Sequence, residues 1–364
     1  MAASLVQQLD LSAAAFDEGA VGAAITISTV SVGAAANSAI MSTDSGSGAD
    51  VWFSSDTAGT LPLAAKLVYW SDGDSKFKFK VYFGSISAVS GATVYLHVGS
   101  KPGGISTDPM GATKFLSAPL IADFADDSGK GNDGTGAGGV AAGGITGPDG
   151  VLPATTFDNT DDYVDFGFEI GDLGTTGTMS LWAKVTDFAT DQRAFGVFHK
   201  TSDKSLLLWM DVDGLGDGWA GYITSTTAAQ VVGTNDNNAT TSWQHVAMTF
   251  SPSEAMKVYV DGALTGTASS AVTAQASAGV TFRAGAISSG TETSEHFLGG
   301  LAGINVDSVI RTASEMKADY LLDGPNAATY WTVTDVTRGG TLGRLYPDPR
   351  SLRSRRDPRY LRLS

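Results

Sequence analysis

Along residues 243–250, WQHVAMTF, Val246, Met248 and Phe250 fall on one face of an extended chain and Trp243, His245 and Thr249 on the other. From 256 to 260 the apolar Met256, Val258 and Val260 alternate with Lys257 and Tyr259. A repeat of two is the mark of a half-buried β-strand. Asp261-Gly262 follows, a pair that accepts positive φ at both positions. The chain is expected to turn there and lay 263–267 back along 258–260. The same period recurs earlier, with Phe77, Phe79 and Val81 facing one way and Lys78, Lys80 and Tyr82 the other. Residues 23–32, AAITISTVSV, are β-branched and alternating and read as a strand, with 37–50 as its end and a loop. Residues 51–70 read as a strand, an Asp-Thr-Ala-Gly turn and a second strand, and 92–99 as another. Residues 1–20 are apolar and alanine-rich without a clear period, and are expected to form a short helix or an arm.

Composition sharpens this picture. Glycine is abundant at 45 residues, and aspartate supplies nearly all the acid; only six glutamates occur. Aspartate and glycine favour turns, glutamate favours helix, so the balance predicts an all-β protein rich in loops. The absence of cysteine excludes disulfides, thiol nucleophiles and cysteine-bound zinc. The first residues show no basic segment followed by an apolar run, so no secretion signal is expected, and no window has the apolar length of a membrane span.

The net charge of −15 is uneven. Eight of the eleven arginines lie between Arg338 and Arg362, with Asp348 and Asp357 as the only acids there, giving that segment about +6 and the rest about −21. The acidic body argues against nucleic acid, whose phosphates it would repel. The segment also repeats: Asp348-Pro349-Arg350-Ser351-Leu352-Arg353 returns as Asp357-Pro358-Arg359-Tyr360-Leu361-Arg362. Proline excludes helix interiors and central strands. A basic arm from 324 to 364 is expected, ordered against a partner through Arg344, Tyr346, Arg350, Leu352, Arg353, Arg359, Tyr360 and Leu361. The repeat resembles the termini of some phage virion proteins; a solvated tail is the plain alternative.

Ordered motifs run through the second half of the chain. Asp127-Ser128-Gly129 with 131–135 (GNDGT), Thr156-Phe157-Asp158 with Asp161-Asp162-Tyr163-Val164, 179–185 (MSLWAKV), Trp243 with its V-A, and Tyr259-Val260-Asp261-Gly262 follow in turn. Together they resemble laminin-G-like domains of the concanavalin A type, from about 120 to 323. The resemblance implies a jelly roll of two antiparallel sheets, with 297–306 as its closing strand and 313–322 as a short helix. Residues 51–99, through Trp52–Asp56, Gly59-Thr60-Leu61-Pro62, Trp70, Phe79–Val81, and Val94-Tyr95-Leu96 before Gly99, resemble a small β-domain of unknown function that often precedes such domains in bacterial and phage surface proteins. The expected order is an arm (1–20), a small β-sandwich (21–100), a linker (101–119), the jelly roll (120–323) and the basic arm.

Glycoside hydrolysis would need paired carboxylates on one strand, spaced E-x-D-x-x-E in related glucanases, and the six glutamates offer no such pair. Glu292 and Glu295 fall in a Ser/Thr/Gly loop. The four histidines, His97, His199, His245 and His296, precede no nucleophile elbow and are expected to be structural. A non-enzymatic protein is therefore expected. Calcium could be held by Asp158, Asp161 and Asp162, because hard cations want clustered oxygens. The resemblance adds an acid on the closing strand, where Ala302 is expected to align, so no metal is assigned. The acids of 211–217 read as a hairpin turn. Sugars need an aromatic platform with planar polar partners. Trp219 and Tyr222 with Asp211, Asp217, Asn235 and Asn237 form the candidate glycan site. Trp219 is equally readable as a packing residue, and packing is expected for Trp182, Trp209 and Trp243.

These readings combine into a phage virion surface protein, either a head decoration or a tail or fibre component. Its jelly roll would present a glycan-binding or coating face and its arms would hold other virion proteins, in a homo-oligomer. The alternative is a secreted or cell-surface bacterial lectin.

Overall fold

The computed structural model describes residues 5–12, 20–21, 24–43, 48, 50–82, 85–86, 92–99, 112–188, 191–197, 205–211, 218–225, 228–233, 238–276, 279–286 and 296–335. The chain builds an all-β molecule with two hydrophobic cores.

The first core lies between a five-stranded and a three-stranded antiparallel sheet. The strand Lys76–Tyr82 alternates as expected, with Phe77, Phe79 and Val81 buried. It sits between Ala24–Ser28 and Ala65–Ser71. In the larger sheet, Leu5–Leu11 is interior, flanked by Ala92–Val98 on one side and Trp331–Asp335 on the other. The start of the expected amino-terminal arm is thus a core strand, with Leu9 and Leu11 buried. The segment expected to be an arm from 324 begins as a 3-10 turn, Ala327–Tyr330, and the edge strand Trp331–Asp335. Burial of Val6, Leu9 and Leu11 outweighs the lack of a clear sequence period. Residues 336–364, which carry the expected anchoring side chains from Arg344 to Leu361, lie outside the described residues.

A second correction concerns 29–43, which form a helix where the last part of the strand 23–32 and the first part of the strand end and loop at 37–50 were expected. Val32, Ala36 and Ile40, four apart, pack on the first core, and Asn37 Nδ2 donates to the Ser75 carbonyl at 2.7 Å. A helix of small residues lets one face reach the sheet; the strand preference of the β-branched Thr29, Val30 and Val32 gave way to that packing.

The second core fills the space between an eight-stranded and a seven-stranded antiparallel sheet. Gly177–Val185, Gln244–Phe250 and Leu298–Asp307 form the middle of the eight-stranded sheet. Its inner face carries Met179, Leu181, Val246, Met248, Phe250 and Val258. The expected hairpin is present. Asp261 and Gly262 have φ of 51° and 75°, and Val260 pairs with Ala263. Asp261 Oδ1 also accepts from the His245 amide at 2.9 Å, fixing the turn to the neighbouring strand. The sheet takes in Lys114–Ala118, which pairs with Leu298–Asp307. That strand falls inside the expected 101–119 linker, drawn into the sheet by burial of Leu116 and by Lys114 Nζ bonding Asp307 Oδ2 at 2.8 Å.

The helix Ala313–Asp323 joins the two bodies. Thr312 caps it in a reciprocal box with Glu315. One face meets the eight-stranded sheet, where Tyr320 stacks on Trp182 and Met316 packs with Ala247 and Tyr259. Ala318 and Leu322 enter the first core. Asp323 takes Lys80 at 2.6 Å and Lys78 at 3.2 Å from the first domain.

Candidate functional site

The eight-stranded sheet spends its outer face on this helix, through Trp182, His245 and Tyr259. The seven-stranded sheet turns its outer face away from the core. Its strands run in the order Thr135–Ala137, Tyr163–Asp165, Arg283–Ala284, Gln192–Val197, Leu206–Asp211, Gly218–Ser225 and Ala228–Gly233. Period-two geometry sorts the side chains. Leu206, Leu208 and Met210 enter the core, so Leu207 and Trp209 point outward. Trp219 and Ile223 point inward, so Ala220 and Tyr222 point outward.

This outer face gathers rings and cations. The Arg193 guanidinium lies 3.9 Å from the centre of the Trp209 ring. Trp209 and Tyr222 sit on adjacent strands with ring centres 6.2 Å apart. Trp209 and Tyr222 are half-buried, whereas Arg193 is 5% exposed. The enclosed Trp209 Nε1 has no hydrogen-bond partner among the described residues. Further along the face, Arg283 covers the Tyr163 ring at 4.4 Å. Arg283 Nε and the Thr281 hydroxyl both donate to Asp165 Oδ2, at 3.1 and 2.9 Å. Such a face offers what a sugar needs: flat apolar rings beside planar charged groups.

The expected glycan residues divide. Tyr222 lies on the outer face. Trp219 does not; it is fully buried, and its Nε1 donates to Gln244 Oε1 at 3.1 Å. A ring sealed in the core cannot stack on a sugar, so Trp219 is corrected to a packing residue. The Gln244 side chain bonds the Asn238 carbonyl and the Thr240 amide as well, so Trp219 also pins the loop that follows. Asp211 ends its strand, but its side chain lies outside the described residues, as do Asp217, Asn235 and Asn237. Trp209, expected to pack, is the outward tryptophan. Sequence reasoning also missed Tyr163, Arg193 and Arg283. The alternation in LLLWMD carries the signal for Trp209, but both faces of that strand are apolar, which left the two tryptophans interchangeable.

Where the strand Pro153–Asp158 of the eight-stranded sheet crosses over to Tyr163–Asp165 of the seven-stranded sheet, the carboxylates of Asp158, Asp161 and Asp162 lie within 4.8 Å of one another. Burial, then the neighbouring Asp158, pushes the Asp162 carboxyl up from its ordinary value. Three converging oxygens suit a hard cation such as calcium. The expected fourth position was misplaced. Leu298 lies opposite Asp158, while Ala302 pairs with Trp182 and packs against it. Of the histidines, His97 bonds Ser54 at 2.7 Å inside the first domain, and His245 is buried beneath the helix Ala313–Asp323.

Residues 158–317 match the model of the concanavalin A-like lectin/glucanases superfamily. The match falls on the part of the chain whose motifs implied it, and the two-sheet fold there is consistent with it. A comparison with curated protein sequences gives no match. Among solved structures, the chain is similar to domain 4 of AbnA, an extracellular arabinanase from Geobacillus stearothermophilus, in complex with arabinotriose. Identity is 17%, coverage 56% of this chain and 97% of that one, and the TM-score 0.47. The binding domain of botulinum neurotoxin serotype D shares 13% identity over 57% of this chain and 51% of its own, with a TM-score of 0.43. The CBM40 of Ruminococcus gnavus IT-sialidase, bound to α2,3 sialyllactose, shares 14% over 40% and 82%, with a TM-score of 0.33.

Proposed function

We propose that the outer face of the seven-stranded sheet binds glycan and that the protein displays this face without catalysing a reaction. One observation carries the reading: Trp209 and Tyr222 are turned away from the core, with Arg193 stacked on the tryptophan. Trp219, by contrast, is sealed in the core. The matched superfamily, named for lectins and glucanases, supports a carbohydrate ligand. Among the described residues the face offers one carboxylate, Asp165, already engaged by Arg283. Retaining and inverting hydrolysis both need two carboxyl groups across the scissile bond. That favours a binding face over an active site.

The display setting follows from charge. A body near −21 joined to a segment near +6 suits attachment to an acidic neighbour. We read the chain as a phage virion surface protein, a head decoration or a tail or fibre component, held by residues 336–364. The rival is a secreted or cell-surface bacterial lectin, in which that segment holds nothing. Deleting 336–364 and measuring both particle attachment and glycan-array binding decides between them. The virion reading expects attachment to vanish and glycan binding to persist. Unchanged association with particles, or no particle association by the full chain, sinks it in favour of the lectin.

A further inference from the structure

The face described above carries the same device twice. Arg193 lies on the Trp209 ring and Arg283 on the Tyr163 ring, at 3.9 and 4.4 Å. These are two of the three arginines that precede residue 338. In a body this acidic, placing both on one sheet face against aromatic rings is not diffuse surface charge.

The register fixes their arrangement. Arg283 is paired with Asp165 on one side and Gly196 on the other. Arg193 is paired with Trp209. The two arginine strands are adjacent, and the two rings lie on the strands outside them. From the strand of Tyr163 to the strand of Trp209 is three strand steps, roughly 14 Å at about 4.8 Å each. Tyr222 lies one strand further. Between the platforms the chain places Gly196, paired with Arg283 on one side and Leu207 on the other. The second platform also has its own polar partners. Asp165 and Thr281 sit beside Tyr163, and Asp165 and Arg283 keep about a quarter of their side-chain surface exposed.

We propose that Tyr163, Asp165, Thr281 and Arg283 form a second glycan subsite. The ligand is then an extended polysaccharide chain laid across the strands, gripped at both platforms. This rests on the glycan-binding reading of the face. A monosaccharide or disaccharide can occupy one platform; it cannot reach both. Linking two weak sites through one ligand makes the second contact intramolecular, so affinity climbs with chain length until both are covered.

The test is titration calorimetry of the full chain with the mono-, di- and hexasaccharides of cellulose, arabinan, xylan and polygalacturonate, beside a glycan array. For the backbone that binds, the hexasaccharide is expected to bind about tenfold tighter than the disaccharide. Tyr163→Ala should erase that gain and leave the disaccharide constant near wild type. Trp209→Ala should weaken both. The length dependence is read on wild-type protein, so a misfolded variant does not decide the matter. Equal affinity for disaccharide and hexasaccharide, with Tyr163→Ala silent, overturns the second subsite and leaves the glycan-binding face standing. No binding to any member of the set or the array overturns both.

Discussion

His245 shows how much a single buried side chain fixes. It lies under the helix Ala313–Asp323 with its ring edge against Trp182, and its Nδ1 finds no hydrogen-bond partner among the described residues. Burial pushes its pKa down to about 4, against the pull of Asp319 and Asp323. The unfolded chain therefore takes up a proton between pH 6.5 and 4 that the folded chain refuses, so this residue makes stability fall as pH falls through that window. The full effect is up to about 3 kcal/mol. Asp127 acts in the opposite sense. Burial lifts its carboxyl to about 6, so the folded chain takes its proton first and stability from this group falls as pH rises from 3.8 to 6. A His245→Gln variant separates the two. Denaturant unfolding should show the wild type gaining on the variant as pH rises from 4 to 6.5 and levelling above. A difference independent of pH would mean that folding leaves the His245 pKa unchanged. The two tryptophans of the candidate site teach the same lesson about what a sequence reveals. Trp219 and Trp209 are both flanked by apolar residues, and only the core's choice of Leu206, Leu208 and Met210 sends one in and the other out. Tyr163, Arg193 and Arg283 are brought together across strands separated by up to 120 residues, a pairing that no local pattern records.

Elements closed by neighbours in the chain were legible, and those closed from afar were not. The Asp261-Gly262 hairpin, the alternating strand Lys76–Tyr82 and the capped helix after the closing strand all stand where their local chemistry put them. The helix Thr29–Thr43 was hidden by its β-branched first turn, although Val32, Ala36 and Ile40 already held a helical spacing. Hidden most of all was the pairing of Leu5–Leu11 with Trp331–Asp335, because its partners lie at opposite ends of the chain. That pairing makes a sharp prediction. The strand Trp331–Asp335 covers the open edge of Leu5–Leu11, and Trp331 lies in the first core. Ending the chain at 335 should leave thermal unfolding unchanged. Ending it at 330 strips the edge and removes the indole, a loss of about 3–5 kcal/mol by analogy with large-to-small core changes. The amino-terminal sandwich should then become sensitive to protease. Equal stability of the two truncations would show that the first domain closes without its carboxyl-terminal strand.

The two cores are joined through one helix, and this sets how the molecule unfolds. Asp323 lies at the helix end, and its side chain is 12% exposed. Burial opposes its charge, yet Lys78 and Lys80 beside it hold its carboxyl far below the usual range. Both lysines come from the central strand of the three-stranded sheet, whereas Asp323 belongs to the helix that also packs on Trp182. The pair therefore ties one core to the other. Arg311 reinforces the far end of the same helix by pairing with Asp319. Removing one partner of a buried pair leaves the other charge uncompensated, a cost of about 3–5 kcal/mol. The wild type is expected to unfold in one calorimetric transition, because the helix that completes the first core is packed on the eight-stranded sheet that bounds the second. Asp323→Ala strands two buried lysines and cuts the tie, so the first domain should melt earlier in a separate transition. The double replacement Lys78→Met with Lys80→Met in that background should recover part of the loss, since it removes the orphaned charges. Two transitions in the wild type, or a single unshifted one in Asp323→Ala, would show that the ion pair does not couple the domains.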